Sequence, residues 1–473
     1  MLTLLGHAQT TPVSTPQIPL CEAANEELAQ GLDGWFFRTT DLIDVVNYTP
    51  SLPQFRRLQQ NLVARGSVLI IIPVPGRAVA NPQALDPNDP KQAAFDAVLA
   101  ANTYTAFIDA LRAEGIYAVD VLEAARNHDL FKQDDPIPPD SGFFLKRNIH
   151  WTATGSRQVF QNVASIINTI ELTPPLKLTP FRIDTIRNDR GRPLLGTMPS
   201  FVDEFVAYYC GEDWPIPLPD EYIINSWTVV DDTAPEPVVS ANDLFGNPRP
   251  QIIHLGTSQS IRPYYQQTLQ ADLNTTVVNL AMRAGAMFGS FEYYLGSGTY
   301  RNYLNDAALT LEPQPISQIV IWEFPYYTEE VLLRETAWRQ LFSLMWQGCH
   351  NSLQTHEVEL DVLPTETQAW LELPMSTQEV LAEDYLELTA ADLSLRSFEL
   401  RLQYQTGQEQ VRLLRYNRLE HDGRFTLDLQ HSYGDLVSLA IRPLPEVIPE
   451  TRTKNNLRVQ LCRPPLQLNQ DSN

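Results

Sequence analysis

Apolar and polar residues follow two alternating rhythms along most of this chain. Continuous apolar runs predict buried strands, whereas apolar residues three to four positions apart predict helices. The predicted strands are Ser67–Val74, Ile116–Val121, Gln251–Leu255, Thr275–Leu280 and Gln318–Trp322. The predicted helices are Phe55–Arg65, Ala93–Gly115, Thr152–Thr169, Arg262–Asp272, Met287–Leu295 and Thr328–Met345. This alternation favours an α/β domain with a mostly parallel sheet and covering helices.

Two parts of the chain depart from that rhythm. From about residue 171 to 250 the sequence is rich in Pro and Asp, so we expect surface excursions laid over the main domain. After Cys349 the period changes to two, and Gly, Asp and Asn separate the segments Phe398–Gln405, Gln410–Tyr416, Arg424–Gln430 and Leu436–Arg442. A period of two with such turns predicts an antiparallel β-sandwich.

These changes predict the domain organisation. We expect an N-terminal tail over residues 1–22, an α/β domain over 23–348, a β-sandwich over 349–465 and a C-terminal tail over 466–473. The segment from Met1 to Gln9 resembles the end of an export signal without its basic leader; a frayed N-terminus is the alternative. No apolar run reaches the roughly 18 residues that a membrane-spanning helix needs.

Charge and motif content exclude several classes of function. The chain has 473 residues with 34 Lys and Arg against 57 Asp and Glu, a net charge of −23. General nucleic-acid binding and a basic membrane-surface helix both need the opposite sign. The eight histidines show no metal-binding spacing, and no complete nucleotide-binding loop occurs, so neither a metal nor another cofactor is expected.

The four cysteines, Cys21, Cys210, Cys349 and Cys462, lie far apart in the sequence. An even number in an exported protein favours two disulfides, with three connectivities to choose from. We expect Cys21–Cys210 and Cys349–Cys462, because each pair then belongs to one domain. Four free thiols in a cytosolic protein are the alternative.

Two segments carry the residues of nucleophilic catalysis. Ser258 lies in Gly256–Ser260, directly between a predicted strand and a predicted helix, where open α/β folds place their sites. A plain helix cap is the alternative for this Ser/Thr cluster. His150 precedes another predicted helix, and histidine is the usual base for a serine hydroxyl. A structural histidine is the alternative there.

Taken together, five segments resemble one known family. They are Asp33–Phe37 (DGWFF), Ile71–Arg77 (IIPVPGR), Asn148–Trp151 (NIHW), Gly256–Ser260 (GTSQS) and Trp322–Pro325 (WEFP). In this order they resemble the SGNH-hydrolase-like domain of the alginate O-acetyltransferases. The cysteine placement and the following β domain resemble the periplasmic form that carries a C-terminal carbohydrate-binding module.

The resemblance implies a flavodoxin-like, circularly permuted three-layer domain and acetyl transfer to an exopolysaccharide hydroxyl in the periplasm. Ser258 matches the nucleophile and His150 the base, whereas Asn148 stands where the family has aspartate. The expected partners are the polymer, an acetyl donor that is a protein or a small molecule, and an exopolysaccharide export complex. The alternatives are a carbohydrate esterase with the same residues and a catalytically weak binding or scaffold component, which Asn148 favours.

Residues for substrate binding are expected in both domains. Trp322, Glu323 and Tyr326 are interpreted as following a strand and lining a sugar groove, with core packing as the alternative. Gly76 and Arg77 follow another strand, where a plain turn is the alternative to an oxyanion or substrate site. In the sandwich, one strand face is expected to be basic and to bind a uronate polymer, with ordinary surface ion pairs as the alternative; its arginines are Arg396, Arg401, Arg412, Arg415 and Arg418.

Overall fold

The computed structural model describes most of the chain between residues 20 and 464. The described ranges are 20–42, 45–127, 142–178, 181–185, 187–191, 195–198, 201–211, 220–223, 225–229, 251–261, 263–282, 286–296, 318–326, 335–346, 348–349, 351–362, 369–381, 383–393, 395, 397–414, 423–444 and 453–464. Within them, no helix is both long and apolar enough to cross a membrane.

A five-stranded parallel sheet forms the centre of the first domain. In spatial order its strands are Val277–Asn279, Ile252–Leu255, Ile319–Pro325, Val68–Val74 and Tyr117–Ala118. The central strand Ile319–Pro325 and its neighbour Val68–Val74 are almost entirely buried because helices cover both faces of the sheet. Their sequences therefore read as apolar runs without alternation.

The strand order shows a circular permutation. When the strands are counted from Ile252–Leu255, their spatial order becomes 2-1-3-4-5, which is the order of flavodoxin-like folds. In such sheets a ligand binds where the winding direction reverses, between the first and third strands. Here that position lies between the carboxyl ends of Ile252–Leu255 and Ile319–Pro325. The predicted fold class is confirmed.

The described helices surround this sheet or lie in the excursion, and four of them begin at a capping side chain. Their bounds are Glu22–Glu27, Leu52–Val63, Arg77–Ala80, Pro90–Ala94, Ala97–Ala113, Val121–Arg126, Ala153–Ile167, Phe201–Cys210, Pro263–Leu273, Ala286–Gly296 and Glu335–Leu344. The single helix predicted over Ala93–Gly115 is two helices, because Asp96 lies between them and its carboxylate caps the second by accepting the Leu99 N–H at 2.8 Å. The strand predicted over Ile116–Val121 is short for the same reason: Asp120 caps the helix Val121–Arg126.

Pairs of short antiparallel strands lie outside the central sheet of the first domain. Leu28–Gln30 pairs with Phe36–Arg38. In the Pro-rich excursion, Phe181–Thr185 pairs with Asn225–Val229, and Leu195–Met198 pairs with Asp220–Ile223.

The C-terminal part contains two antiparallel four-stranded sheets. In spatial order the first consists of Asn351–Val362, Thr453–Arg463, Tyr385–Ala390 and Arg424–Asp428. The second consists of Leu371–Gln378, Leu436–Pro443, Ser397–Tyr404 and Gly407–Leu414. Four of these strands were predicted from their period of two. The edge strand Asn351–Val362 was missed because most of its described side chains are at least partly exposed, so it lacks a continuous apolar face.

Two disulfides are formed, and both have the predicted pairing. Cys21 bonds Cys210 with a Cα–Cα distance of 5.7 Å, and Cys349 bonds Cys462 with 5.3 Å. The first ties the N-terminal helix to the helix Phe201–Cys210 of the excursion. The second fastens the beginning of the sandwich to its last strand.

Buried charged groups join the two domains. Arg57, on the helix Leu52–Val63, contacts the carboxylate of Asp428 at 2.6 Å. Arg339 donates to the Asp428 carbonyl at 2.8 Å and pairs with Glu409. Burial raises the pKa of Asp428 to about 6, even though Arg57 lowers it. Contacts of Arg57 and Arg339 with Asp428 and Glu409 therefore join the sandwich to the α/β domain.

Candidate active site

Ser258 lies in a tight turn, Gly256–Ser260, that we name the serine turn. It directly follows the strand Ile252–Leu255, so it lies at the position where the sheet reverses its winding. The other four residues of the turn are buried, whereas Ser258 is partly exposed. The fold thus presents the serine hydroxyl at the edge of the sheet where ligands bind.

A buried carboxylate lies beneath the serine turn. Glu323 is fully buried in the strand Ile319–Pro325, and its Oε2 accepts the Thr257 N–H at 2.7 Å. The Thr257 hydroxyl lies 2.9 Å from Oε1 of the same carboxylate. Burial raises the pKa of Glu323 to about 7, while hydrogen bonds from Thr257 and Ser260 oppose that rise. A Cβ at Gly256 would come within 2.6 Å of Oε2, so only glycine fits there.

His150 lies in a second segment, Phe143–Thr152, that we name the histidine loop. The loop folds back on itself, since the Leu145 N–H donates to the His150 carbonyl at 3.0 Å and the Thr152 N–H to the Phe143 carbonyl at 2.9 Å. Thr152 then caps the helix Ala153–Ile167 through the Gly155 N–H at 3.0 Å. The loop is therefore anchored at the N-terminus of that helix.

Gln259 joins the histidine loop to the serine turn. Its side-chain oxygen accepts the Trp151 N–H at 3.2 Å, and its side-chain nitrogen donates to the Ile149 carbonyl at 2.9 Å. Its backbone carbonyl accepts the Trp151 indole N–H at 2.9 Å. His150 stands between the two bonded residues of the loop, and Ser258 immediately precedes Gln259. The geometry therefore brings the two predicted catalytic segments together.

Asn148 orients the His150 ring. Its side-chain oxygen forms a short hydrogen bond with His150 Nδ1, and Asn148 is buried. An amide oxygen only accepts, so this contact assigns the proton to Nδ1 and leaves Nε2 as the basic nitrogen. Unlike a carboxylate, the amide carries no charge to offset an imidazolium.

Arg77 holds the histidine loop from the opposite side. Its guanidinium is buried and donates to the carbonyls of Leu145 at 2.9 Å, Lys146 at 3.1 Å and Phe36. The Phe36 N–H also donates to the Lys146 carbonyl at 3.0 Å. The DGWFF and PGR segments therefore support the loop. The buried Arg77 guanidinium donates to two loop carbonyls and to the Phe36 carbonyl, and it is not exposed to a substrate.

The residues expected to line a sugar groove lie elsewhere. Trp322 and Glu323 are inside the strand Ile319–Pro325 rather than after it, and both are fully buried. The Trp322 indole packs in an aromatic cluster and donates to the Met287 carbonyl at 3.1 Å, so it offers no face to a sugar. Tyr326 is 5% exposed and lines a shallow pocket with Gly76 and Tyr104 at the same sheet edge. Core packing thus describes Trp322, while only Tyr326 borders open space.

The described arginines of the sandwich are paired with acids. Arg401 forms an ion pair with Glu372, and the neighbouring Arg442 pairs with Glu399. Both guanidiniums lie over the Trp370 ring, 4.8 and 4.5 Å from its centroid. Arg412 faces Glu399 across the strand pair. Three of the predicted arginines, Arg396, Arg415 and Arg418, lie outside the described residues. The expected basic face is therefore charge-compensated where it is described.

Comparison with known proteins decides the family. The model of the SGNH hydrolase-like domain of the acetyltransferase AlgX matches residues 28–326, well over half of the chain. The chain belongs to the AlgX acetyltransferase family.

Relatives of the AlgX family support this assignment along nearly the whole chain. The alginate biosynthesis protein AlgX of Pseudomonas fluorescens is 26% identical over 444 residues, covering 89% of this chain and 82% of the relative. The protein of the same name from Pseudomonas putida is 26% identical over 446 residues, covering 92% and 84%. A solved structure of Pseudomonas aeruginosa AlgX superposes with a TM-score of 0.68 at 21% identity, covering 94% of this chain and all of that one. The resemblance seen in the sequence is confirmed.

Two residues of this AlgX-family site were not identified as supports from the sequence. The sequence treats Gln259 only as a member of the GTSQS segment, and it assigns Arg77, with Gly76, either to an oxyanion or substrate site or to a plain turn. Two sequence signals could have identified these residues as supports: a glutamine within a run of small residues, and an arginine shortly after a strand. If the fold buries such a side chain, its polar groups must find hydrogen-bond partners.

Proposed function

We propose that this protein transfers an acetyl group to a hydroxyl of an exopolysaccharide through an acyl-enzyme on Ser258. The observation that carries the proposal is the set of hydrogen bonds through which Gln259 joins the serine turn to the histidine loop. Family membership supports acetyl transfer as the reaction, and the relatives' role in alginate biosynthesis supports a uronate polymer as the acceptor.

The proposed chemistry has two halves. In the first, His150 Nε2 takes the Ser258 proton while Oγ attacks the acetyl carbonyl; the bond to the donor's leaving group then breaks, and that group leaves with the proton. In the second, a sugar hydroxyl gives its proton to His150 and attacks the acetyl-serine. The new ester forms on the sugar, the bond to Ser258 Oγ breaks, and the proton returns to the serine.

We expect Asn148 to limit the rate of this reaction. It holds the tautomer that leaves Nε2 basic, so His150 is oriented correctly. Because the amide is neutral, the imidazolium formed in each half-reaction receives no charge compensation from it. Replacing the aspartate of a serine protease triad by asparagine costs roughly 10⁴ in rate. We therefore expect slow turnover, and the same observation supports the second candidate, a binding or scaffold component with little activity.

The polymer is proposed to contact the sandwich as well as the serine turn. Trp370 is partly exposed on one sheet face and is flanked by Arg401 and Arg442. An aromatic face can pack on a sugar ring while guanidiniums pair with its carboxylate. The remaining candidate arginines, Arg396, Arg412, Arg415 and Arg418, stay predictions.

We propose a periplasmic location and an association with an export complex. Two formed disulfides support an oxidising compartment, because cytosolic thiols are kept reduced.

The test is acetyl transfer by the purified protein. We would incubate it with p-nitrophenyl acetate and oligouronate and measure acetylated oligomer by mass spectrometry. Ser258→Ala should abolish the product, whereas Ser165→Ala, an exposed helix serine, should leave it unchanged. Acetate without acetylated oligomer in the wild type would indicate an esterase. Retained oligomer binding with no acyl transfer of either kind would favour the scaffold function.

A further inference from the structure

The carboxylate of Glu323 has no role in the proton transfers described above, yet it lies directly under the serine turn. We propose that Glu323 is a positioning residue for Ser258 and acts through Thr257. The claim that Glu323 helps catalysis rests on the proposed function. The claim that Glu323 holds the serine turn in place does not depend on it.

The contacts run in a chain from Glu323 to the residues on both sides of Ser258. Glu323 accepts the N–H and faces the hydroxyl of Thr257, at 2.7 and 2.9 Å. The Thr257 hydroxyl oxygen accepts the Gln259 N–H at 3.3 Å, and the Thr257 carbonyl accepts the Ser260 N–H at 3.1 Å. Each of these hydrogen bonds holds a residue within two positions of Ser258, and Ser258 is the one residue of the serine turn that is partly exposed.

Close packing and burial hold the serine turn against the Glu323 carboxylate. Gly256 has no room for a side chain against Glu323, so the backbone of the turn rests on the carboxylate itself. A fully buried acid costs free energy unless its hydrogen bonds are made, and Thr257 supplies both a backbone and a side-chain donor. The raised pKa of Glu323 is a sign of that cost. A carboxylate serving only to fill the core would be better replaced by an apolar side chain.

Two substitutions separate the positioning role from general stability. Glu323→Leu keeps the bulk but leaves both Thr257 donors without their acceptor. Glu323→Gln keeps an oxygen for the Thr257 N–H, and its amide can donate to the Thr257 hydroxyl, so it should rescue most of the effect. The matched control is Glu123→Leu, the same substitution at an exposed acid of the helix Val121–Arg126. Should Glu323→Leu fail to fold, Thr257→Val removes the hydroxyl contacts while preserving shape.

Hydrogen–deuterium exchange of peptides covering residues 256–260 measures the local stability of the serine turn and does not require the protein to be active. We expect exchange there to be faster by on the order of 10- to 100-fold in Glu323→Leu, as for the loss of buried hydrogen-bond partners. Glu323→Gln and Glu123→Leu should stay near the wild type. Unchanged exchange of the turn in folded Glu323→Leu, or in Thr257→Val if the former does not fold, would overturn the proposal.

Kinetics of acylation by p-nitrophenyl acetate give the second readout. In Glu323→Leu the maximal rate should fall by a similar factor with KM changed less than about threefold, because orientation of the nucleophile rather than binding is lost. A rise in KM alone would contradict the positioning role. If the wild type showed no acylation at Ser258, the proposed function would fail, and the exchange experiment would still decide whether Glu323 holds the turn.

Discussion

Removing the side chain of Gln259 should uncouple the histidine loop from the serine turn. Gln259→Ala deletes two hydrogen bonds, to the Trp151 N–H and the Ile149 carbonyl, while the backbone bond to the Trp151 indole can persist. Gln259 is 1% exposed, so no bulk water replaces the lost partners. At about 1–3 kcal/mol for each of the two buried groups left unsatisfied, the free energy of unfolding should fall by about 2–6 kcal/mol.

The rate of acylation should fall as well. A displacement of about 1 Å between base and nucleophile costs on the order of 10²-fold in rate. We would measure urea unfolding and the acylation burst with p-nitrophenyl acetate, using Gln161→Ala, an exposed residue of the helix Ala153–Ile167, as the control. The control should stay within about 0.5 kcal/mol of the wild type. Wild-type acylation in Gln259→Ala, with stability equally unchanged, would refute the reasoning.

Three further substitutions test other parts of the account. Asn148→Asp should raise the acylation rate by on the order of 10- to 10³-fold by compensating the imidazolium, and an unchanged rate would show that the amide already suffices. Arg77→Met removes a buried cation from two carbonyls of the histidine loop and from that of Phe36, so the free energy of unfolding should drop by about 2–4 kcal/mol and acylation should fall with it; full acylation would contradict a supporting role. The pKa of Asp428 is raised from 3.8 to about 6 in the folded protein, so the fold binds this proton more tightly than the unfolded chain does, and stability should fall by about 3 kcal/mol as pH rises from about 4 to about 6. Asp428→Asn should remove that part of the pH dependence in urea titrations, and a slope identical to the wild type would show that Asp428 is not its source.

The fold was largely predictable because its strongest signals are local. Continuous apolar strands such as Val68–Val74, and helices at regular apolar spacing, follow directly from burial. Where a helix boundary differs from the prediction, a single capping residue determines it, as Asp96 does for the helix Ala97–Ala113. The edge strand Asn351–Val362 of the sandwich was missed because partial exposure leaves no apolar pattern to detect, whereas the interior strand Tyr385–Ala390 was missed although it is almost entirely buried.

The sequence indicates Ser258 and His150 as candidate site residues, but it does not indicate the residues that hold their segments together. Ser258 and His150 stand out because their residue types and their place beside helices suit the chemistry. Gln259, Arg77 and Glu323 act through contacts between residues 41 to 110 positions apart, which only the fold brings together. Glu323 also had a competing interpretation, since an acid after an apolar strand is equally typical of an exposed binding residue.

The acyl-enzyme is the central claim, and its position on the chain can be measured directly. The protein would be quenched in acid during reaction with p-nitrophenyl acetate and digested, and the acetylated peptide would be sequenced by mass spectrometry. We predict an acetyl group of about 42 Da on Ser258, absent in Ser258→Ala and strongly reduced in His150→Ala. An acetyl group on another residue, or equal labelling of Ser258 when His150 is missing, would contradict the account.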